Sequence, residues 1–188
     1  MTKEIELKFP LDNRTALVDR LRRAHAEQLF PETFEDNIVL DRRGELRTKG
    51  SLLRLRKFGR FVLATYKGPV SFNGTIKTRD EVQTGLESFE RAVALFDALG
   101  FKPVFRYQKF REVWRLGGAE VVLDRTPIGE YLEIEGTIET ITAVAEELGL
   151  SLDRGIKLSY ADLYRQARRT RPDLPEHMVF DPQLFPSA

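Results

Sequence analysis

The chain has 188 residues, a formal net charge of +1 and no cysteine, and 31% of its residues are charged. This length fits one domain, and the missing cysteine excludes disulfides, thiolate catalysis and cysteine-based zinc sites. We find no apolar stretch of membrane-spanning length and no basic tail or stripe of the kind that binds nucleic acid. The N-terminal residues 1–9 lack an apolar signal-peptide core, so we expect a cytoplasmic protein that binds neither membrane nor nucleic acid.

Apolar spacing and turn residues predict an alternation of strands and amphipathic helices. In chain order we predict a strand at 2–9, a helix at 13–30, strands at 34–42, 51–58, 60–67 and 76–83, a helix at 87–99, strands at 104–115, 118–125 and 128–136, and helices at 138–148 and 159–169. Eight strands at hairpin-like spacing predict the α+β class, with an eight-stranded antiparallel β-barrel and the helices packed outside. We predict one domain over residues 1–170 and an irregular tail over 171–188, which begins with proline-rich sequence.

Charged and apolar residues alternate along the first predicted strand, residues 4–9. Successive strand side chains point to opposite faces, so Glu4, Glu6 and Lys8 share one face. Like charges are paired in the same way on later strands, at Arg54 and Arg56, Lys109 and Arg111, and Glu133 and Glu135. The sequence therefore predicts sheet faces that carry charges of one sign close together.

Two arrangements fit this alternation. The charged faces could point to water around an apolar interior, which is the ordinary arrangement of a single surface strand. In the other arrangement, apolar faces lie outside under the helices and the charges line the barrel interior. We favour the second, because each amphipathic helix needs an apolar sheet face to cover. Paired like charges also repel unless an opposite charge lies between them.

A charged interior requires water or a compensating ligand, because an unpaired buried charge costs several kcal/mol. A triphosphate with a divalent cation supplies negative charge to pair with the basic residues and positive charge to pair with the carboxylates. Arginine binds phosphate bidentately, and carboxylates suit Mg²⁺ or Mn²⁺. We predict phosphate binding by the basic residues Arg54, Arg56, Lys67, Arg79, Lys109 and Arg111. We predict Mg²⁺ or Mn²⁺ binding by Glu4, Glu6, Glu133 and Glu135.

The ordered set of these motifs resembles the CYTH family, also called triphosphate tunnel metalloenzymes. Residues 4–8 fit the family's E-x-E-x-K signature, residues 53–56 its L-R-x-R strand and residues 65–69 its T-x-K-G-P segment. Later matches are an R-x-E strand at Arg79 and Glu81, a K-x-R strand at Lys109 and Arg111, a closing hairpin with Asp124, Gly129 and residues 133–135, and a late element with Lys157, Ser159 and Tyr160. Together they span roughly residues 2 to 165.

The resemblance implies a tunnel-shaped barrel, Mg²⁺ or Mn²⁺, and a triphosphate substrate such as ATP, inorganic triphosphate or thiamine triphosphate. It adds Lys8, Glu81 and Asp124 as candidate catalytic residues, Lys8 and Lys157 as phosphate ligands, and Asp124 as a metal ligand. The short chain and the segment 65–69 are most similar to the class IV adenylyl cyclase branch, and a homodimer is a further expectation. One departure is Gln83, where the family carries a second acid that could bind metal or act as a base.

Three functions remain open on the sequence. The first is hydrolysis of a triphosphate by an attacking water, and the second is cyclisation of ATP by its own 3′-hydroxyl. The third is non-catalytic binding of polyphosphate or an organic phosphate. We rank this third function lowest, because paired carboxylates that face a polyanion weaken its binding unless a cation lies between them.

Overall fold

The structure, a computed structural model, describes residues 1–181, and its regular elements there are strands and short helices. The strands are β1 (Thr2–Pro10), β2 (Glu27–Asp41), β3 (Leu52–Phe58), β4 (Phe61–Asn73), β5 (Ile76–Leu86), β6 (Lys102–Leu116), β7 (Ala119–Thr126) and β8 (Gly129–Glu135). The helices are α1 (Arg14–Arg23), α2 (Glu45–Thr48), α3 (Phe89–Ala98), α4 (Ile138–Glu147) and α5 (Tyr160–Thr170), with one 3₁₀ turn at Leu152–Arg154.

The eight strands close into one antiparallel barrel in the order β1-β5-β4-β3-β2-β6-β7-β8. Closure occurs where β1 pairs with β8, and Glu6 lies opposite Glu135 and Lys8 opposite Glu133. The predicted eight-stranded antiparallel barrel is confirmed, with every predicted strand present. Closure leaves no sheet edge unpaired, and it places the alternate charged residues of distant strands around one interior.

The main apolar core lies outside the barrel, between its outer face and the helices. Leu7, Val121 and Ile134 point outward from their strands and pack with Leu21 of α1 and Ile141 of α4. A second cluster lies where α3 packs over β3. The helices therefore cover apolar sheet faces, and the charged faces turn inward, as the second sequence interpretation predicts.

Helix α1 is shorter than predicted. Its N-terminus is capped by Asn13, whose side chain accepts a hydrogen bond from the backbone N–H of Ala16 at 2.9 Å. It ends at Arg23, and His25 then takes a left-handed conformation with φ of 56°. The predicted extension to Phe30 is wrong, because β2 begins at Glu27 and its backbone pairs with β6 instead. Helical spacing in a sequence cannot reveal such a competing strand pairing.

Helix α5 lies across one end of the barrel. Ser159 caps it in a capping box with Asp162, and Tyr160 is buried against Tyr107 and Tyr131. The described part of the tail that follows contains no helix or strand and is docked on the barrel, since Met178 is buried and pairs with β6 at Tyr107. Residues 182–188 of the predicted tail lie outside the described residues. Within residues 1–181, no helix is long and apolar enough to cross a membrane.

Candidate active site

The barrel interior holds a cavity of about 430 Å³, lined by side chains from all eight strands and from the start of α5. Nearly all of the predicted site residues line it: Glu4, Glu6, Lys8, Arg54, Arg56, Lys67, Arg79, Glu81, Lys109, Arg111, Glu133 and Glu135. The two exceptions are Asp124, which lies beneath the cavity wall, and Lys157, which is exposed with its ammonium 5.8 Å from the ring centroid of Phe72.

One side of the cavity, which we call the basic wall, consists of Arg54 and Arg56 on β3 and Lys109 and Arg111 on β6. Arg54 donates a hydrogen bond to the Tyr107 hydroxyl at 3.1 Å. The Nε atoms of Arg54 and Arg56 are buried and have no hydrogen-bond partner among the described residues. Burial and the charge of Arg54 lower the pKa of Arg56, so these guanidinium groups are crowded together.

A buried carboxylate, Glu35 on β2, lies behind the basic wall. Its Oε1 accepts a hydrogen bond from Asn37 at 2.9 Å and is 3.5 Å from Lys109 Nζ and 3.7 Å from Arg56 Nε. Burial by itself raises the pKa of Glu35, but Arg56, Lys109 and Arg111 outweigh burial and hold that pKa well below its usual value. Glu35 therefore stays ionised and orients the cations from behind.

A second buried carboxylate, Asp124 on β7, lies behind the part of the basic wall formed by Lys109 and Arg111. It is fully buried, and its carboxylate accepts hydrogen bonds from Lys109 at 2.8 Å and from Arg111 at 2.6 and 2.8 Å. Tyr160 of α5 donates a further bond to it at 2.7 Å. With these donors around it, Asp124 is a positioning residue for the basic cations in this structure. Its predicted roles as metal ligand and catalytic residue stay predictions.

The opposite side of the cavity, which we call the acidic wall, consists of Glu4 and Glu6 on β1 and Glu135 on β8. Lys67 forms ion pairs with Glu4 and Glu81, and Lys77 forms one with Glu6. The second oxygen of Glu4 is buried and has no hydrogen-bond partner among the described residues. Glu135 is exposed as a residue, but protein atoms surround its carboxylate. This local burial, and then the negative charges of Glu4 and Glu6, raise the pKa of Glu135 to about 7. Negative charge is therefore in excess around Glu135, although Glu4 and Glu6 each have a lysine partner.

Lys8 and Glu133 connect the two walls. Their side chains form an ion pair at 3.2 Å, and Arg111 contacts the other oxygen of Glu133 at 2.6 Å. Burial works against the charge on both groups, but each lies beside opposite charges, so the pKa of Lys8 is raised and that of Glu133 is held well below its usual value. Lys8 also lies 4.0 Å from the ring centroid of Tyr160. Both residues are therefore charged and held in place.

Arg79 lines the cavity, but its guanidinium group is already engaged. It donates to the carbonyl oxygens of Gly68 at 2.9 Å and Lys67 at 3.1 Å, where β4 shifts register against β5. Arg79 thus holds the backbone that carries Lys67. Gln83, which replaces an acid of the resembled motif, also lines the cavity and accepts a hydrogen bond from Thr65 at 3.0 Å.

A complete metal site is not formed in this structure. Among residues 1–181, no group of three or more acidic, histidine or cysteine side chains is arranged to hold a metal ion. The ion pairs of Lys67 and Lys77 occupy Glu4 and Glu6 instead. The donor chemistry still fits a hard cation, because the acidic wall offers only carboxylate oxygens, one of them buried and unpaired.

Sequence analysis missed several residues of the site. Lys77 and Tyr107 lie two positions before Arg79 and Lys109, so the same alternation predicts them on the inner face. Glu35 was harder to find, since its neighbour Asp36 is also acidic and points outward to bind Arg106 at 2.6 Å. The alternation along the predicted strand 34–42 could have separated the two acids, because Asp36 shares its face with the apolar Ile38 and Leu40 and Glu35 lies on the other face.

The CYTH domain family matches residues 2–177 of the chain. A Methanocaldococcus jannaschii protein named "putative adenylate cyclase" is 28% identical over 174 residues, covering 85% of this chain and 97% of that protein. A solved Vibrio parahaemolyticus structure with the same description has a TM-score of 0.77 at 21% identity and covers 86% of this chain and 97% of its own.

A third similar structure is a Hippeastrum protein described as a "putative adenylyl cyclase" with a dominant triphosphatase activity. Its TM-score is 0.61 at 16% identity, and the match covers 89% of this chain and 96% of the Hippeastrum chain. At such identities, the Vibrio and Hippeastrum structures establish a shared fold and no more.

Proposed function

This chain belongs to the CYTH domain family, and on that premise we propose that it is a metal-dependent enzyme that cleaves the phosphate chain of a triphosphate bound in the barrel cavity. One observation carries the proposal. The same cavity has a wall of crowded cations with unpaired donors and a facing wall of crowded carboxylates. A triphosphate with a divalent cation neutralises both walls together, which neither an anion nor a cation does alone.

The basic wall is the proposed phosphate site. Arg54 and Arg56 carry donors without partners among the described residues, and planar guanidinium groups match phosphate oxygens bidentately. Lys109 and Arg111 add charge from β6, and Glu35 and Asp124 hold these cations in position before the substrate arrives. Such preorganisation favours binding because little rearrangement is required.

The acidic wall is the proposed cation site, with Glu4, Glu6 and Glu135 as ligands. A bound Mg²⁺ or Mn²⁺ would supply positive charge to offset the charge that develops on the reacting phosphoryl group. Lys67 and Lys77 form ion pairs with Glu4 and Glu6 in this structure, and a cation held by these carboxylates would leave both ammonium groups available to bind phosphate. Glu81, the partner of Lys67, lies in the same cavity and can then accept a proton from a water molecule.

Hydrolysis is the reaction that the cavity supports most directly, because it requires only this clamp, a cation and a carboxylate to orient water. ATP cyclisation is the second candidate, favoured by the adenylate cyclase name of the Methanocaldococcus relative. Cyclisation has a further requirement, since the ribose 3′-hydroxyl must be held against the α-phosphorus.

Product analysis tests the proposal. The protein is incubated with Mg²⁺ or Mn²⁺ and, in separate tubes, with ATP, inorganic triphosphate and thiamine triphosphate, and the products are separated by chromatography. Release of phosphate establishes a triphosphatase, and cyclic AMP with pyrophosphate establishes a cyclase. Tight binding of these compounds without turnover supports a binding module instead, and absence of both binding and turnover refutes the proposal.

A further inference from the structure

A tyrosine of β6, Tyr107, lies in the cavity beside the basic wall. The residue is only 8% exposed, and its hydroxyl accepts a hydrogen bond from Arg54 at 3.1 Å. Within residues 1–181, this hydroxyl donates its own proton to no other group. The basic wall is therefore accompanied by a buried hydroxyl whose proton the protein itself does not use.

The ring of Tyr107 is held by two aromatic contacts. It stacks on Phe105 with a centroid distance of 5.9 Å and an interplanar angle of 23°, and on Tyr160 of α5 at 6.4 Å and 30°. A tyrosine side chain has only two torsions, so contacts of its ring with two neighbours leave the hydroxyl little freedom. The ring therefore holds the hydroxyl at a defined place beside Arg54.

The C-terminal tail fixes the backbone of Tyr107. On one side this residue pairs with β2, but on the other side β7 pairs with β6 only from Phe110 onward. The tail pairs with the edge that β7 leaves free. The N–H of Met178 donates to Arg106 at 3.1 Å, and the N–H of Gln108 donates to Met178 at 2.8 Å. Both edges of β6 are therefore paired at Tyr107, which positions the hydroxyl before a ligand binds.

The charges around the Tyr107 hydroxyl make it a strong hydrogen-bond donor toward an anion. Burial by itself raises the pKa of Tyr107, but the nearby positive charges, led by Arg54 and Lys109, outweigh burial and lower that pKa. A hydroxyl that donates to an ionised oxygen forms a short and strong hydrogen bond. The negative charge of a phosphate chain beside Arg54 would also favour the protonated phenol, which is the donating form.

Packing alone does not explain the hydroxyl. A phenylalanine would preserve both stacking contacts, and Phe105, two residues earlier on the same face of β6, lines the same cavity without a hydroxyl. Two roles then remain for the Tyr107 hydroxyl. It can orient Arg54 as an acceptor, or it can bind the substrate directly through its proton. The unused proton favours the second role.

We propose that Tyr107 is a further substrate-binding residue, whose hydroxyl donates a hydrogen bond to a phosphate oxygen while Arg54 binds the same phosphate chain. The proposal rests on the proposed function and adds a neutral donor to the basic wall. Such a donor provides a directed hydrogen bond without adding positive charge to a wall in which Arg54 and Arg56 are already crowded.

The test compares wild type with Tyr107→Phe, which keeps the ring and removes only the hydroxyl. ATP, inorganic triphosphate and thiamine triphosphate are each supplied with Mg²⁺. For every one that the wild type turns over, kcat/KM should fall by roughly 10- to 100-fold, because all three carry the phosphate chain. Calorimetry in EDTA should show a loss in the same range in affinity for inorganic triphosphate, since the proposed contact involves no cation.

A double-mutant cycle separates direct contact from orientation of Arg54. If Tyr107 only orients Arg54, adding Tyr107→Phe to Arg54→Ala changes nothing further. If Tyr107 binds phosphate itself, the double variant should lose roughly another fivefold or more in kcat/KM relative to Arg54→Ala.

Tyr131→Phe is the matched control. Tyr131 packs on the same Tyr160 ring, at 5.4 Å, but lies outside the cavity, so kcat/KM should stay within about twofold. The proposal is overturned if Tyr107→Phe changes kcat/KM and affinity by less than about fivefold, if its effect disappears in the Arg54→Ala background, or if Tyr131→Phe has the same effect. If the wild type neither binds nor turns over any of the three triphosphates, the proposed function fails first and the role of Tyr107 falls with it.

Discussion

The two walls of the cavity are built differently, although both concentrate charge of one sign. The basic wall is supported from behind by two fully buried carboxylates, Glu35 and Asp124, which hold its cations in place. The acidic wall has no equivalent buried support among the described residues. Its carboxylates are paired with Lys67 and Lys77, flexible side chains in the cavity itself.

This difference indicates which half of the site is ready before ligand binds. A guanidinium group held by a buried acid keeps its geometry, so the basic wall is preorganised for phosphate. A lysine is a point charge on a flexible stem, so Lys67 and Lys77 fix the carboxylates of the acidic wall less rigidly. Burial of the Glu135 carboxylate, followed by the negative charges of Glu4 and Glu6, raises its pKa. The predictions below separate the two walls.

The largest effect is expected for Asp124→Ala, which removes the support of the basic wall. Lys109, Arg111 and Tyr160 would lose a shared buried acceptor, and the free energy of unfolding should fall by about 3–5 kcal/mol. Urea denaturation measures the change. The control is Asp36→Ala, which breaks the pair with the half-exposed Arg106 and should cost less than about 1 kcal/mol. Equal losses in the two variants would contradict a supporting role for Asp124.

The next largest effect is expected for Glu6→Gln on the acidic wall. Turnover with Mg²⁺ should fall by roughly 100-fold or more, because a cation ligand is lost. In EDTA, affinity for inorganic triphosphate should not fall, since the substitution removes negative charge that faces the phosphates. Calorimetry and steady-state kinetics measure the two quantities. Asp80→Asn, on the outer face of β5 beside Lys3, should change neither. A variant that loses metal-free binding would refute the division into two walls.

A smaller effect is expected for Arg56→Ala on the basic wall. Loss of a charged hydrogen-bond donor should raise KM for inorganic triphosphate by about 10- to 100-fold, with a smaller change in kcat. Lys57→Ala is the matched control, since Lys57 is the exposed neighbour on the outer face of β3. If KM is unchanged while kcat falls sharply, Arg56 contacts the phosphate chain only in the transition state. The basic wall would then not bind the phosphates of the substrate before reaction.

The smallest effect is a pH dependence from Glu135. Its pKa in the folded protein is raised from 4.5 to about 7, so folding favours the protonated acid. Stability contributed by that proton is fully present below about pH 4.5 and is lost as pH rises through about 7. In EDTA, the melting temperature of the wild type should therefore fall between pH 5 and pH 8 by roughly a few degrees more than that of Glu135→Gln.

Because Glu135 is exposed as a residue, solvent screens its charge and weakens this effect, which is why it is ranked last. Added Mg²⁺ should remove the difference between the two proteins, because a cation favours the ionised carboxylate. Glu139→Gln, an exposed acid on α4, serves as the control for a general change in surface charge. Parallel melting curves for wild type and Glu135→Gln would show that the acids of this wall do not repel one another.

Much of the fold could be predicted, because closed antiparallel barrels leave a strong period of two in the sequence. All eight strands were found, and the inward direction of Glu4, Arg54 and Lys109 followed from that period. Helix α1 was predicted too long because the residues before Phe30 fit a helical pattern, and only the pairing of β2 with β6 shows that they form a strand.

The sequence by itself determined the inner and outer faces of the strands, and with them the charged interior, since neighbouring side chains on a strand alternate regardless of what they pair with. Tertiary structure decided which inner residues meet. Glu35 and Asp124 are far apart in the chain, yet both contact Lys109, and α5 places Tyr160 over Asp124 and removes it from the cavity surface. The tertiary structure also decided that Lys157 is exposed. Alternation is a local property of the chain, whereas contacts across a barrel depend on closure and register, which no short stretch of sequence encodes.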